Sequence, residues 1–193
     1  MSVIATTAFM AFFILSSNTS AETASITTEI VSAEPVQEVV EVHSVALTGY
    51  NAVPEQTDSD PSTTASGAYS NPEVIAARSV DLADELPFGT VIEFTLSGKN
   101  SKPPCGLSAV DHLVGYRVIA DSMHPRKRNQ IDIMFDNKDS VRIGVKRMNP
   151  AVVLGVCKNI EIRVVGHIDV KKMPRNQMEL QLALGSATLA VRK

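Results

Sequence analysis

The sequence predicts an all-β fold, a small closed barrel built from six or seven short strands. Three observations support this prediction. Short apolar or alternating runs recur between residues 43 and 169, turn-forming residues separate them, and long helical patterns are almost absent. Because closing a sheet into a barrel removes its exposed edges, a barrel is the expected arrangement for so many short strands.

The expected elements follow one another along this region. Residues 45–50 form the first strand, and a long polar loop then runs over 51–69. Further elements are a short apolar stretch at 74–77, a helical turn at 81–85, strands at 91–95, 115–120 and 131–135, and a helix start at 136–140. The clearest alternation marks strands at 141–147 and 160–165. Residues 176–191 fit either a helix against the barrel or a frayed tail.

The first 21 residues are expected to be a signal peptide or an N-terminal anchor. Residues 3–15 are nearly continuous apolar sequence, and a polar stretch follows at 16–21. An apolar run of about 13 residues suits a signal peptide better than a membrane span, which needs roughly 20 residues. We therefore expect export to the periplasm, outer membrane or cell wall, with N-terminal membrane contact only where this segment stays uncleaved.

Charge divides the rest of the chain. No Lys or Arg precedes Arg78, whereas 18 basic residues face 12 acidic ones from Arg78 onward. Residues 22–42 are predicted to be an acidic, flexible linker, so the N-terminal region is expected to be disordered or extended. The folded domain is predicted at 43–169, and a C-terminal tail at 170–193. The mildly basic domain suits an anionic polymer, but an aromatic content of 5% argues against nucleic acid.

The chain contains two cysteines, Cys105 and Cys157. In an exported protein an even pair predicts a disulfide, and two unrelated buried thiols are the alternative. The four histidines are scattered without the spacing of metal ligands, so neither a metal nor another cofactor is expected.

Two aspartates, Asp121 and Asp132, each lie in or at the end of a short apolar run. Aspartate is rare inside strands and is costly to bury without a partner. Two carboxylates on neighbouring strands can share one small site, which is the usual equipment for cleaving a glycosidic bond. The alternative is that both are turn or edge residues that bind local backbone groups.

The order of several short motifs resembles the 3D (Asp-Asp-Asp) domain, which is shared by membrane-bound lytic transglycosylase A and stationary-phase muralytic proteins. The resemblance covers roughly residues 43–169. The motifs are Thr-Gly-Tyr at 48–50, Thr-Thr-Ala-Ser-Gly at 63–67, Ile-Ala-Ala at 75–77, Leu-Pro-Phe-Gly-Thr at 86–90, Val-Ile-Ala-Asp at 118–121 and Ile-Asp-Ile-Met-Phe at 131–135.

This resemblance implies a six-stranded double-psi β-barrel with short helical turns. It also implies cleavage of peptidoglycan glycan strands between N-acetylmuramic acid and N-acetylglucosamine. Asp132 would be the acid/base, and Asp121 the neighbouring carboxylate that raises its pKa or stabilises positive charge on the sugar. Asp81 matches the family's other aspartate, with Asp84 as the rival. The alternatives are a non-catalytic wall-binding module and a glycosidase that uses water.

Further residues could contact the substrate. The hydroxyl groups of Thr48, Tyr50, Thr64 and Ser66 suit a sugar groove, but they could equally satisfy buried backbone groups. Arg126, in the basic turn 126–128, could contact carboxylates of the wall or simply be solvated.

Overall fold

The computed structural model of the protein describes residues 41–57, 60–95 and 105–191, with side chains to residue 185. The expected signal segment at 1–21 lies outside the described residues. So does the expected linker at 22–42, apart from its last two residues.

Within the described residues the chain forms eight strands and three α-helices. The strands are β1 (Val42–Asn51), β2 (Ile75–Arg78), β3 (Thr90–Thr95), β4 (Arg117–Ser122), β5 (Gln130–Phe135), β6 (Val141–Ile143), β7 (Lys146–Met148) and β8 (Cys157–His167). The helices are α1 (Leu107–Val110), α2 (Pro150–Leu154) and α3 (Gln177–Val191). Short 3₁₀ turns occur at Val80–Leu82, Asp111–Leu113 and Val170–Lys172.

Six of the strands close into a barrel in the order β1-β5-β2-β4-β3-β8. The pairs β1–β5 and β2–β4 are parallel, and the other neighbours run antiparallel. The closed all-β barrel that the sequence predicts is therefore confirmed. Its strand order is far from the chain order, because each parallel pair requires a connection that crosses from one end of the barrel to the other.

Alternation along the strands divides the buried side chains into two clusters. On β5, Ile131, Ile133 and Phe135 belong to one cluster, whereas Met134 belongs to the second cluster together with Tyr50 of β1. Successive residues of a strand point to opposite faces of the sheet. Asp132 therefore lies on the face opposite Ile131 and Ile133, which are fully buried.

The prediction of a single strand over residues 141–147 is wrong. The structure has a separate hairpin of β6 and β7, outside the barrel. Gly144 lies at the turn with φ +62°, which favours glycine and allows the chain to reverse there. The helix start predicted at 136–140 is also wrong. A turn occurs there, and the Asp136 carboxylate accepts a hydrogen bond from the Lys138 N–H at 2.9 Å.

Two short helices that the sequence analysis did not identify pack near the disulfide. Cys105 and Cys157 are joined, with their Cα atoms 5.3 Å apart, so the bridge links the segment before α1 to the start of β8. The Gly106 N–H donates to the Leu154 carbonyl at 3.1 Å. A Cβ atom at Gly106 would lie 1.7 Å from the Val153 carbonyl oxygen, so only glycine fits where this segment meets α2.

Helix α3 packs against the barrel, which decides between the two alternatives for residues 176–191. Leu180 is fully buried in the second cluster. The Gln177 side chain accepts from the Tyr116 N–H and donates to the Tyr116 and Glu73 carbonyls. Among the residues that the structure describes, no helix combines the length and the apolar character that crossing a membrane requires.

Candidate functional site

Four paired residues form a row across four neighbouring strands. Thr48 of β1 pairs with Asp132 of β5, and Asp132 pairs with Ala77 of β2. Ala77 in turn pairs with Asp121 of β4. Because directly paired residues present their side chains on the same face of a sheet, Thr48, Asp132 and Asp121 share one face. The two aspartates are two strand spacings apart, roughly 10 Å between Cα atoms.

A register shift between β2 and β4 brings Asp121 into this row. Ala76 pairs with Ile119, but the next residue, Ala77, pairs with Asp121 and not with Ala120. One extra residue of β4 is accommodated at this point, as in a bulge, and such irregularities redirect side chains beside functional sites. Without the extra residue, strand alternation would direct Asp121 to the opposite face from Asp132.

Asp132 lies in the middle of this row, on β5. It is partly buried and accepts a hydrogen bond from the Thr48 hydroxyl at 2.8 Å. Burial is the main reason that its pKa is raised from 3.8 to about 6, and the negative charge of Asp121 adds to the rise. The Thr48 hydrogen bond and the positive charge of Lys127 oppose the rise. Near neutral pH, Asp132 can therefore both donate and accept a proton.

Asp121 is held by three hydrogen bonds. Tyr50 donates its hydroxyl to Oδ2 at 2.7 Å, and the N–H groups of Ala65 and Ser122 donate to Oδ1 at 3.0 and 2.9 Å. Burial and the negative charge of Asp121 hold the pKa of Tyr50 well above its usual value, so Tyr50 remains a donor. These bonds fix the position of the Asp121 carboxylate, which lies at the partly exposed end of β4.

The turn at residues 63–69 forms one wall beside Asp121. A bridge between Thr63 and Tyr69 closes it, and the Ser66 N–H donates to the Ala120 carbonyl at 3.1 Å. Thr64 is buried and its hydroxyl donates to the Ala68 carbonyl at 3.1 Å. Thr64 therefore satisfies a backbone carbonyl inside the turn. The Ser66 hydroxyl lies 3.0 Å from the Thr64 hydroxyl and is partly exposed.

Asp81 contacts the turn before β5 and is not part of the row of Thr48, Asp132 and Asp121. It is exposed and accepts a hydrogen bond from the Asn129 N–H at 2.9 Å. Asn129 has a positive φ of +46°. A hydrogen bond from Ser79 is the main reason that the pKa of Asp81 is lowered. These contacts give Asp81 a role in holding the turn that leads into β5. The rival Asp84 is exposed and lies near Arg78.

The basic turn contributes charge to the site through Lys127. Arg126, Lys127 and Arg128 are all exposed, and the backbone N–H of Arg126 donates to His124 Nδ1 at 3.2 Å. Lys127 is near enough to lower the pKa of Asp132, whereas Arg128 acts on Asp81. Arg126 was the basic residue predicted to contact substrate, but Lys127 is the member of this turn whose charge acts on Asp132.

Gln130 is a second site residue that the sequence analysis missed. Its side-chain amide donates to the Thr48 hydroxyl at 2.7 Å. Gln130 lies two residues before Asp132 on β5, and strand alternation places residues i and i+2 on the same face. That spacing is the signal that could have identified it.

Two surface cavities of about 270 Å³ each occur among the described residues, and neither is lined by Asp121 or Asp132. Among the described residues, no three His, Cys, Asp or Glu side chains are grouped in the way that a metal site requires. No protein-family model matches this sequence, and no curated protein matches it at a significant level.

Proposed function

We propose that the protein cleaves peptidoglycan glycan strands as a lytic transglycosylase. The observation that carries this proposal is the row Asp132–Ala77–Asp121, in which an acid with a pKa of about 6 shares one face with a second carboxylate. The motif resemblance to the 3D domain supplies the substrate class. It also suggests that the barrel has double-psi topology, and the parallel pairs β1–β5 and β2–β4 are compatible with that suggestion.

In the proposed reaction Asp132, protonated, donates its proton to the oxygen of the bond between N-acetylmuramic acid and N-acetylglucosamine. The bond from muramic C1 to that oxygen then breaks. The muramic C6 hydroxyl attacks C1, and its proton passes to the Asp132 carboxylate, which restores the acid. The products are a 1,6-anhydromuramic end and a free 4-hydroxyl on N-acetylglucosamine, and no water is consumed.

Asp121 has the second role in this proposal. Its carboxylate accepts three hydrogen bonds and is held about two strand spacings from Asp132. A carboxylate fixed in this way suits electrostatic stabilisation of the positive charge that develops on the sugar ring. The C6 hydroxyl supplies the nucleophile, so the reaction does not require Asp121 to form a bond.

The test is digestion of purified sacculi with the full chain, followed by mass spectrometry of the soluble products. We expect anhydromuropeptides from the wild type. Asp132→Asn should lower the rate by roughly 10²–10⁴-fold, the usual contribution of a general acid. Asp111→Asn is the matched control, since Asp111 is exposed and lines a cavity away from the pair; it should digest sacculi normally.

Other products would overturn this proposal in distinct ways. Muropeptides with reducing ends would identify a glycosidase that uses water. Binding to sacculi without any soluble product would identify a wall-binding module. Normal digestion by Asp132→Asn would remove Asp132 from the acid/base role.

A further inference from the structure

One surface cavity lies at the end of the barrel strand that carries Asp132. It is found beyond the C-terminal ends of the parallel strands β1 and β5 and has a volume of about 270 Å³. Phe135 lines it and follows Asp132 by three residues on β5, which corresponds to roughly 10 Å along a strand. Asp136 and Asn137, which follow the end of β5, also line the cavity, so it lies at the end of the strand that carries Asp132.

The turn at residues 63–69 connects the cavity to Asp121. Its tip donates the Ala65 N–H to the Asp121 carboxylate at 3.0 Å. Its base is the bridge between Thr63 and Tyr69, and Tyr69 lines the cavity. One rigid turn thus contacts the carboxylate at one end and forms the cavity wall at the other.

Tyr69 is the only exposed Phe or Tyr among the residues that the structure describes, and its exposed fraction is 75%. An exposed aromatic ring at the rim of a cavity that also carries polar groups can provide an apolar contact surface for a ligand. Tyrosine suits such a surface because it offers a flat apolar face and a polar hydroxyl at low entropic cost.

The other lining groups define the chemistry of the ligand. Ser62 and Ser70 supply hydroxyls, Asn137 an amide, and Asp136 a carboxylate, and none of the described residues that line the cavity is Lys or Arg. Hydroxyls and an amide beside an aromatic face match a sugar ring, whose C–H groups pack on the aromatic ring while its hydroxyls make hydrogen bonds. The Asp136 carboxylate disfavours a negatively charged unit.

We propose that this cavity is a glycan subsite in which Tyr69 stacks on an uncharged N-acetylglucosamine ring of the bound strand. The subsite rests on the proposed function, because it holds the strand whose linkage is cleaved at Asp132. It favours N-acetylglucosamine over N-acetylmuramic acid, since the muramic unit and its peptide carry carboxylates that Asp136 repels.

The test is a titration of the full chain with a tetrasaccharide of N-acetylglucosamine, followed by NMR of backbone amides. The Asp132→Asn background keeps the ligand intact. Amides at residues 62–71 and 135–137 should shift, and Tyr69→Ala should weaken binding at least roughly fivefold, while Tyr69→Phe should keep it because the ring remains. Val145→Ala is the control: Val145 is 92% exposed in the turn between β6 and β7 and does not line the cavity, so this variant should bind as the parent does.

Two results would overturn the subsite. One is unchanged binding by Tyr69→Ala, and the other is the absence of shifts around Tyr69 at millimolar tetrasaccharide. The assay does not depend on cleavage. Binding at Tyr69 together with sacculus digests that lack anhydromuropeptides would refute the transglycosylase activity and keep the subsite. Anhydromuropeptides in the digests without binding at Tyr69 would refute the subsite alone.

Discussion

The Thr48 hydroxyl donates a hydrogen bond to Asp132, because its other partner, the side-chain nitrogen of Gln130, can only be a donor. Thr48 Oγ1 lies 2.8 Å from Asp132 Oδ1 and 2.7 Å from the side-chain nitrogen of Gln130. The amide nitrogen of Gln130 is a donor, so it occupies the oxygen of Thr48 and leaves the Thr48 proton for Asp132. This chain of bonds favours ionised Asp132 and opposes the effect of burial on its pKa.

Thr48→Val should therefore raise the pKa of Asp132 above its value of about 6. A hydrogen bond of this kind is worth about 1–1.5 kcal/mol. The pH at which the lysis rate falls on the alkaline side of its profile should therefore increase by about one unit. The direction follows from chemistry, because a general acid is active only while protonated. The measurement is the initial rate of sacculus lysis from pH 4.5 to 8.5.

Thr57→Val is the matched control for this variant. The Thr57 hydroxyl donates to the Val53 carbonyl at 3.1 Å and has no part in the row. Its pH profile should coincide with that of the wild type. A Thr48→Val profile that also coincides would mean that the Thr48 hydrogen bond does not set the pKa of the acid.

Ionised Asp132 should destabilise the fold near neutral pH. Its pKa is about 6 in the folded protein against an ordinary value of 3.8, so the folded state binds this proton more tightly than the unfolded chain does. The free energy of unfolding consequently falls as pH rises from about 4 to 6, by up to about 3 kcal/mol. Protonated at pH 4, Asp132 carries no such cost.

Asp132→Asn removes that charge while keeping the shape and an acceptor for Thr48. We expect urea unfolding to give similar free energies for variant and wild type at pH 4, and a more stable variant at pH 7. Asp111→Asn, at an exposed site, should show no such pH-dependent difference. A variant that is less stable than the wild type at pH 7 would contradict the burial argument.

Asp81 is expected to act on stability and not on catalysis. Asp81→Ala removes the acceptor of the Asn129 N–H, and since the site is exposed we expect a loss of at most about 1 kcal/mol in the free energy of unfolding. The rate of sacculus lysis by the folded variant should stay within about twofold of the wild type. Asp84→Ala, at the rival aspartate, is the parallel variant, and it should also keep the lysis rate of the wild type because Asp84 is exposed and lies near Arg78.

The lysis rate decides the role of Asp81. A fall comparable to that of Asp132→Asn, in a variant with normal unfolding, would place Asp81 among the catalytic groups. An intact lysis rate with lowered stability would leave Asp121 and Asp132 as the aspartates with a proposed role in the reaction.

Strand alternation was sufficient to predict where Asp132 lies, but the meeting of the two aspartates depends on features that the sequence does not reveal. Asp132 stands between apolar Ile131 and Ile133, so a strand with one polar position is readable from the sequence. Asp121 reaches the same face only through the register shift in β4 and through β2, which lies between the two aspartate strands. All four residues of β2 are buried, so no alternation marks it.

The hairpin at residues 141–148 shows that regular alternation can also mislead. The alternation over 141–147 is regular, and period alone cannot distinguish one strand from two strands with a turn between them. Gly144 is the residue that decides, because its φ of +62° is compatible with a reversal. A glycine inside an alternating run was the available signal, and it was outweighed by the periodicity.

The disulfide should provide a large part of the stability of the fold. Cys105 and Cys157 are 52 residues apart, and closing a loop of this length in the unfolded chain corresponds to about 4 kcal/mol in the chain-entropy model. We expect denatured, unreduced protein to contain no titratable thiol, and reduction to lower the free energy of unfolding by about that amount. The double variant Cys105→Ser with Cys157→Ser should lose similar stability and should not respond further to reductant. Two free thiols in the unreduced protein, or an equal response of the double variant to reductant, would show that the bridge does not stabilise the fold in solution.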